Sequence, residues 1–298
     1  MDLISAVLPT PMERLSNVMT EAAGITLYIK RDDLIHPTVS GNKWRKLKYN
    51  LLEASRLGYT RVLTFGGAFS NHLYATAAAG NALGFETIGI VRGEELREKL
   101  SPTLLFCQTQ GMQLDFVSRA EYKLRSSDNY LLDLAKKFDH PFIIPEGGTS
   151  TLALQGVAEM MPEINAQLGK TADYLAVAAG TGGTAAGLLS AGANVLAFSA
   201  LKGGEFLKQD ISMLLSDQHS SGSLQLFTDY HFGGYAKWIP ELISFMKNFQ
   251  HEFGIQLEQV YTAKMFFGLF DLIRKNHFPK GTTIVAVHTG GLQGLLRA

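Results

Sequence analysis

Short apolar runs alternate with amphipathic segments along most of the chain. Short runs rich in apolar and β-branched residues predict strands. We place these strands at residues 27–29, 61–65, 87–91, 113–117, 141–144, 174–178, 195–200 and 283–287. Apolar positions at helical spacing predict helices at residues 42–57, 75–82, 102–110, 129–138, 153–168, 185–191, 205–215, 239–253 and 263–277. A polar loop is predicted at residues 218–223.

This alternation of strands and helices is typical of parallel sheets whose faces are both covered by helices. The predicted fold class is therefore α/β, with two open twisted parallel-sheet domains, helices on both faces and a ligand cleft between the domains. We expect a large domain built from residues 1–47 and 151–298, and a small domain at residues 48–150.

Glycine-rich turns occur at four points where an apolar run gives way to a helical pattern. They lie at residues 65–72, 145–150, 179–184 and 288–291. Glycine lets backbone N–H groups approach a ligand closely, and ligands of open α/β sheets bind at the carboxyl ends of the strands. All four turns follow predicted strands, so we expect them to meet in one cleft.

The first long helix begins with two lysines in its first turn. Ser40 is a suitable N-cap residue, Lys43 and Lys46 share one face, and Gly58 offers a C-terminal stop. A helix N-terminus carries partial positive charge, which disfavours lysine and favours anions. The two ammonium groups therefore either form a solvated basic face or help to hold a phosphate-bearing ligand bonded covalently to one lysine. The helix alone leaves both interpretations open.

Composition narrows the classes of partner. Lysine plus arginine and aspartate plus glutamate each number 27, so the net charge gives no reason to expect nucleic acid or an anionic membrane surface. The 46% hydrophobic content is enough for a sizeable core, and no stretch approaches the ~20 apolar residues of a membrane span. A single cysteine, Cys107, excludes an internal disulfide and a cysteine-rich metal site. Since Asp2 stands where a signal peptide has a basic residue, we expect a cytoplasmic protein without a metal centre.

Two motifs, taken alone, support more than one function. Residues 180–185 fit G-x-G-x-x-A, a variant of the dinucleotide fingerprint, but the next strand ends at Ala200 without the acidic residue that holds a ribose. A NAD-dependent oxidoreductase is therefore an alternative, as is a glycine turn needed only for packing. Ser70 and His72 suggest a hydrolase pair, although near neighbours rarely align as nucleophile and base, and Ser70 also suits a helix cap.

The motifs occur in an order that resembles one enzyme family. They are Gly41-Asn42-Lys43-x-Arg45-Lys46-Leu47, Gly66-Gly67-x-x-Ser70-Asn71-His72, the 180–184 loop, Tyr261-Thr262 and His288-Thr289-Gly290-Gly291. This order is similar to that in the 1-aminocyclopropane-1-carboxylate deaminase and D-cysteine desulfhydrase family, pyridoxal-phosphate enzymes of the tryptophan synthase β-like fold (fold type II). The resemblance covers nearly the whole chain, although residues 203–234 look shortened.

The resemblance implies pyridoxal 5'-phosphate as cofactor in the cleft, a small amino acid as substrate and a homodimer as assembly. Lys43 would bond covalently to the cofactor's aldehyde, since that chemistry requires an amine. The further cofactor contacts implied are Lys46, Asn71, Gly180, Thr181, Gly182, Gly183, Thr184 and Thr289. The substrate contacts implied are Ser70, Asn71, His72, Tyr235, Tyr261 and Thr262. The implied catalytic residues are Lys43, Ser70, Tyr235 and Tyr261.

Two positions indicate a branch of the family. In the resemblance, the cyclopropane-opening branch has glutamate after the pocket tyrosine and leucine after the late histidine, where this chain has Thr262 and Thr289. A carboxylate beside the pyridine nitrogen makes a stronger electron sink than an uncharged hydroxyl. We therefore predict β-elimination of D-cysteine to pyruvate, sulfide and ammonia, with deamination of 1-aminocyclopropane-1-carboxylate as the alternative. A ligand-binding protein that kept the fold without activity is a third interpretation.

Overall fold

Ten strands form two separate sheets in the part of the chain that the structure describes. The structure is a computed structural model, and it describes residues 5–216 and 220–295. The strands are β1 (Met12–Leu15), β2 (Thr26–Lys30), β3 (Arg61–Gly66), β4 (Glu86–Arg92), β5 (Gln113–Val117), β6 (Phe142–Ile143), β7 (Tyr174–Ala179), β8 (Val195–Ser199), β9 (Leu224–Phe227) and β10 (Thr283–Val287).

Helices join most of these strands. They are α1 (Val18–Ala23), α2 (Asn42–Arg56), α3 (Asn71–Leu83), α4 (Pro102–Thr109), α5 (Asp128–Lys137), α6 (Thr151–Ala158), α7 (Met160–Leu168), α8 (Gly183–Ser190), α9 (Leu207–Leu214), α10 (Pro240–Phe253) and α11 (Thr262–Arg274). Ser70, Ser101, Ser127 and Ser150 cap α3, α4, α5 and α6, each accepting from a first-turn N–H that has no partner inside its helix. No helix in the described ranges has both the length and the apolar character that crossing a bilayer requires.

The larger sheet has the strand order β1-β2-β10-β7-β8-β9, and the smaller has the order β5-β4-β3-β6. Neighbouring strands are parallel except β1 and β2, which pair antiparallel at the edge of the larger sheet. The predicted α/β fold class is confirmed. The smaller sheet takes the strands between residues 61 and 143 and the larger sheet takes the others, while the predicted domain boundaries at residues 47/48 and 150/151 stay a prediction.

Both faces of the central strands of the larger sheet are buried, which explains why β7, β8 and β10 are mostly apolar. Within β10, Ile284 and Ala286 pack into a cluster with residues of α10 and α11. Val285 and Val287 pack into a second cluster with residues of α6, α7, α8 and α9. Alternate side chains of a strand point to opposite faces, so a helix layer on each face requires a strand that is apolar throughout.

Several elements differ from the prediction. β1, α1 and β9 have no counterpart among the predicted elements, and the single helix predicted at residues 153–168 is two helices, α6 and α7, which meet at Glu159. Pro162 lies in the first turn of α7, where its missing N–H is tolerated. Ser70 caps the helix of small residues as predicted, and the helix runs from Asn71 to Leu83, beyond the predicted 75–82 at both ends. The loop predicted at residues 218–223 lies partly outside the described residues, which exclude 217–219.

Candidate active site

A cavity of about 890 Å³ opens between the two sheets. Its walls include the segments that follow β3, β7 and β10 and the first turns of α2, α3 and α8. The predicted site residues that line it are Lys43, Lys46, Ser70, Asn71, His72, Gly180, Thr181, Gly182, Gly183, Thr184, Tyr235, Tyr261 and Thr289. Residues distant in sequence meet here because the carboxyl ends of parallel strands share one edge of a sheet.

Helix α2 begins against the end of β10. Gly41 is its N-cap residue and has φ 64°, a left-handed conformation that favours glycine. A Cβ on Gly41 would overlap the Thr289 carbonyl oxygen, so a larger residue would push the helix away from β10. The predicted cap, Ser40, is wrong by one residue, because its hydroxyl donates instead to the Asp33 carbonyl oxygen at 3.3 Å.

Lys43 lies on the cavity wall in the first turn of α2. Its Nζ donates to Asn42 Oδ1 at 3.0 Å, and Asn42 Nδ2 donates to Thr184 Oγ1 at 2.8 Å. Burial lowers the pKa of Lys43 to about 8, and the carboxylate of Glu258 partly offsets that shift. An appreciable fraction of the Lys43 amine is therefore neutral near physiological pH, and the neutral amine is the form that attacks a carbonyl group.

Lys46 is a buried cation without a carboxylate partner in the described part of the chain. Its side chain is 2% exposed. Its Nζ contacts neutral oxygens, namely Thr149 Oγ1 at 3.1 Å, the Gly147 carbonyl at 3.3 Å and Thr181 Oγ1 at 3.5 Å. Burial and the nearby charge of Lys43 hold the pKa of Lys46 well below its ordinary value. A buried cation in such surroundings is compensated only when an anion binds beside it.

The first turn of α8 completes an anion site around Lys46. A Cβ on Gly183, the first residue of α8, would lie 2.8 Å from Lys46 Nζ and 2.7 Å from Thr149 Oγ1. The hydroxyls of Thr149 and Thr181 are 2.6 Å apart and turn toward the same space. Free N–H groups and partial positive charge at a helix N-terminus favour phosphate, and glycine lets the phosphate approach them. The donors gathered here suit a phosphate dianion.

The turn between β3 and α3 contributes a second set of free donors. Ser70 Oγ accepts from the Leu73 N–H at 3.2 Å, and Asn71 Oδ1 accepts from Gln293 Nε2 at 2.8 Å. In the described chain, the N–H groups of Asn71 and His72 have no backbone acceptor. These N–H groups at a helix N-terminus can bind a carboxylate.

His72 carries a buried lone pair in the same wall. Thr64 Oγ1 donates to the Ile144 carbonyl at 2.7 Å and therefore accepts from His72 Nε2, which lies 2.8 Å away. His72 Nδ1 is then unprotonated, and it is buried without a partner among the residues described. Burial and the charges of Lys43 and Lys46 hold the pKa of His72 well below its ordinary value, so the ring stays neutral. A Cβ on Gly148 would lie 3.3 Å from His72 Nδ1, so this open acceptor lies beside the 145–150 turn.

Tyr235 and Tyr261 meet edge to face in the cavity wall, with their ring centroids 6.1 Å apart. Tyr261 packs against Gly180, where a Cβ would lie 3.0 Å from the ring. Burial raises the pKa of both phenols and holds that of Tyr261 well above its ordinary value. Both hydroxyls therefore keep their protons at neutral pH and can act as proton donors.

Lys264 holds the loop that carries Tyr235. Its Nζ donates to the carbonyl oxygens of His231 at 2.8 Å and Gly234 at 2.7 Å, and burial lowers its pKa to about 8. Lys264 is a positioning residue that we did not predict, because its place in an amphipathic helical pattern does not distinguish it from a surface lysine.

Thr262 is the predicted site residue that the structure places elsewhere. Its side chain is fully buried, its hydroxyl accepts from the Glu258 N–H at 2.9 Å, and it does not line the cavity. The Glu258 carboxylate accepts from the N–H groups of Val260, Tyr261 and Thr262 at 2.5–2.7 Å. The expected substrate contact of Thr262 is therefore wrong, since this side chain belongs to the buried cap of α11.

Several further residues line the cavity although we did not predict them. They include Asn42, Arg92, Arg125, Glu146 and Gly147. The sequence held a signal for most of them: Asn42 lies inside the first motif, Glu146 and Gly147 lie inside a glycine-rich turn, and Arg92 directly follows a predicted buried strand.

Comparison with known proteins gives a consistent match along the chain. Residues 3–290 match the family model described as pyridoxal-phosphate dependent enzyme. The mitochondrial bifunctional D-cysteine desulfhydrase/1-aminocyclopropane-1-carboxylate deaminase of Arabidopsis thaliana is 34% identical over 97% of this chain and 78% of its own. A Pyrococcus horikoshii protein, provisionally named 1-aminocyclopropane-1-carboxylate deaminase, is 32% identical over 96% of this chain and 90% of its own. A crystal structure described as an ACC deaminase homologue superposes with a TM-score of 0.82 at 31% identity, covering 98% of this chain and 92% of that one.

Proposed function

This chain belongs to the family of pyridoxal-phosphate-dependent enzymes, and we propose that it catalyses β-elimination of D-cysteine with release of pyruvate, sulfide and ammonia. Two positions carry this proposal: in the resemblance, the cyclopropane-opening branch has glutamate where this chain has Thr262 and leucine where it has Thr289. Both residues are uncharged here, Thr289 in the cavity lining and Thr262 in the buried cap of α11, and the carboxylates among the described lining residues, Glu146 and Asp210, lie on other segments. An electron sink without a carboxylate at the pyridine nitrogen is weaker. Expulsion of sulfide demands less of that sink than opening a carbon ring.

The residues present fit the cofactor. Lys43 offers a partly neutral amine for the aldehyde, and Lys46 with Thr149 and the first turn of α8 offers the phosphate site. Asn71 would bond to the phenolic oxygen, and Thr289 would face the pyridine nitrogen. When bound, pyridoxal phosphate supplies the electron sink for the bonds that break at the substrate's α-carbon.

The chain's own groups would bind the substrate and move its protons. The Ser70 hydroxyl and the free N–H groups at the start of α3 would bind the α-carboxylate. Lys43 Nζ, with its pKa of about 8, would accept the proton from the α-carbon. Tyr235 and Tyr261 keep their protons at neutral pH, and one of them would protonate the sulfur that leaves with the electrons of the C–S bond.

The ratio of kcat/KM for D-cysteine to kcat/KM for 1-aminocyclopropane-1-carboxylate tests the proposal. We expect the value for D-cysteine to be larger, with sulfide and pyruvate formed in equal amounts. Lys43→Ala serves as the control and should turn over neither compound. A larger value for the cyclopropane substrate would contradict the proposal. A cofactor-loaded protein that releases no 2-oxo acid from any D- or L-amino acid would be the inactive binding protein.

Deamination of 1-aminocyclopropane-1-carboxylate is the second candidate, because the name of the Arabidopsis relative carries both activities. Its product, 2-oxobutanoate with ammonia and no sulfide, separates it from the first. The family match replaces the NAD-dependent interpretation of the 180–184 loop. The homodimer and the cytoplasmic location stay predictions, and light scattering of the purified protein would test the first of them.

A further inference from the structure

Arg92 stands at the mouth of the cavity, at the end of β4. It is exposed and lines the cavity, and a Cβ on Gly67 would lie 3.5 Å from its Nη2. Its guanidinium carbon lies 5.8 Å from the centre of the Tyr122 ring, which supports it on one side. Gly67 belongs to the turn that leads into Ser70, so the guanidinium stands beside the place proposed for the substrate.

The acidic groups around Arg92 are already paired with other arginines. Glu146 accepts from Arg125 Nε at 2.6 Å and from a tyrosine hydroxyl at 2.7 Å. Glu95 accepts from Arg119 Nη2 at 2.6 Å. Within residues 5–216 and 220–295, the side chain of Arg92 makes no hydrogen bond and no ion pair. A guanidinium with five donors therefore faces the cavity without a protein acceptor.

The other anionic groups of the cofactor and substrate have their donors elsewhere in the cavity. Lys46 and the first turn of α8 suit the phosphate, and Ser70 with the start of α3 suits the α-carboxylate. Burial raises the pKa of Tyr235, and the charge of Arg92 opposes that shift. The positive charge of Arg92 thus acts on Tyr235, one of the two phenols proposed to protonate the leaving group. Because the phosphate and the α-carboxylate already have donors, the remaining part of the substrate that Arg92 could bind is the β-substituent.

We propose that Arg92 binds an anionic β-substituent of the substrate, so that the site prefers small amino acids whose β-group already carries a negative charge when the substrate binds, such as a thiolate or a sulfate ester. This inference rests on the proposed β-elimination. In that reaction the bond from the β-carbon to the substituent breaks and its electron pair leaves with the substituent. One water is consumed as pyruvate and ammonia form. A planar guanidinium can hold an anionic substituent such as a sulfate ester with two parallel hydrogen bonds.

This role can be tested by comparing two substrates that both have good leaving groups but differ in the charge of the β-substituent. Serine O-sulfate carries an anionic β-substituent, whereas the substituent of β-chloroalanine is neutral. In Arg92→Gln we expect kcat/KM for serine O-sulfate to fall at least about tenfold, as for a lost charge-assisted hydrogen bond, and kcat/KM for β-chloroalanine to change less than about twofold. Arg119→Gln is the matched control, because Arg119 is an exposed arginine just after β5 that does not line the cavity. It should leave both values unchanged.

Equal losses for both substrates would assign Arg92 to the α-carboxylate, and no loss for either would make it a solvated residue. Either result overturns the proposal.

If the wild type eliminates neither substrate, the proposed function fails. The role of Arg92 can then still be tested by measuring how tightly the protein binds amino acids. The cofactor-loaded protein is then titrated with aspartate and with alanine while the absorbance of the cofactor is followed. Weaker binding of aspartate alone in Arg92→Gln supports the proposal, whereas weaker binding of both or of neither overturns it.

Discussion

The reactivity of the Lys43 amine can be predicted from its surroundings. Burial lowers the pKa of Lys43 to about 8, whereas an ordinary lysine titrates at 10.5. At about pH 7.5, roughly one Lys43 amine in four is neutral, against roughly one in a thousand for an ordinary lysine, which is a gain of about 240-fold. The same difference in pKa corresponds to about 3 kcal/mol in the free energy of deprotonation.

The rate at which the apoprotein bonds to pyridoxal phosphate should follow this neutral fraction. We expect the rate to rise with pH, to bend near about pH 8 and to level off above it. Glu258→Gln removes the negative charge that holds the pKa of Lys43 up, so the bend should move to lower pH. Stopped-flow measurement of the visible absorbance after mixing gives the rate, and Lys43→Ala gives the background.

A rate that still climbs about tenfold for each pH unit above about pH 9 would mean that Lys43 has an ordinary pKa, and it would refute this reasoning. Borohydride reduction and peptide mapping provide an independent check, because a tag on any other lysine contradicts the assignment of Lys43. An unmoved bend in Glu258→Gln would mean that Glu258 is protonated in the folded protein. Burial raises the pKa of Glu258, although three backbone N–H groups oppose that shift.

Two further substitutions test the phosphate site. Lys46→Met should weaken cofactor binding about 10- to 150-fold, as for a lost charge-assisted hydrogen bond, without lowering the Tm of the apoprotein, since it removes an uncompensated buried charge. Lys48→Met is its control, because Lys48 pairs with Glu159 at 2.6 Å, and titration calorimetry should find its Kd unchanged. Gly183→Ala places a methyl group 2.7 Å from Thr149 Oγ1, so Kd should rise while the circular dichroism stays the same. An unchanged Kd in Gly183→Ala would place the phosphate elsewhere.

Strands were predictable from the sequence where both of their faces are buried, because such strands are made of consecutive apolar residues. β10 is buried at every position and apolar from Ile284 to Val287, because both of its faces are covered, and such runs stand out in the sequence. β1 consists of Met12–Leu15, with two charged residues in four, and it exists because it pairs with β2 at the sheet edge. β9, at the opposite edge, is only partly buried along its whole length. Strands that depend on a neighbour for their hydrogen bonds give a weak local signal.

The site was predictable to the level of motifs but not of side-chain direction. Tyr261 and Thr262 are adjacent at the start of α11, and successive residues of a helix point about 100° apart. One therefore lines the cavity while the other is buried against Glu258. A motif contains both residues and cannot show which one faces a ligand. Lys264 was not predicted for a related reason. Its partners are backbone carbonyl oxygens, which every residue type has, so no sequence pattern indicates them.

The proposed cofactor contacts would explain the two lysines in the first turn of α2, which the helix itself disfavours. The helix dipole, burial and repulsion all oppose two cations there: burial lowers the pKa of both lysines, and the charge of Lys43 lowers the pKa of Lys46 further. Bound pyridoxal phosphate would reverse this balance, because its phosphate would pair with Lys46 and accept from the start of α8, while a covalent bond would take up the neutral amine of Lys43. Binding to the folded chain alone stabilises that chain. The same contacts that hold the cofactor would therefore also hold α2 against the end of β10.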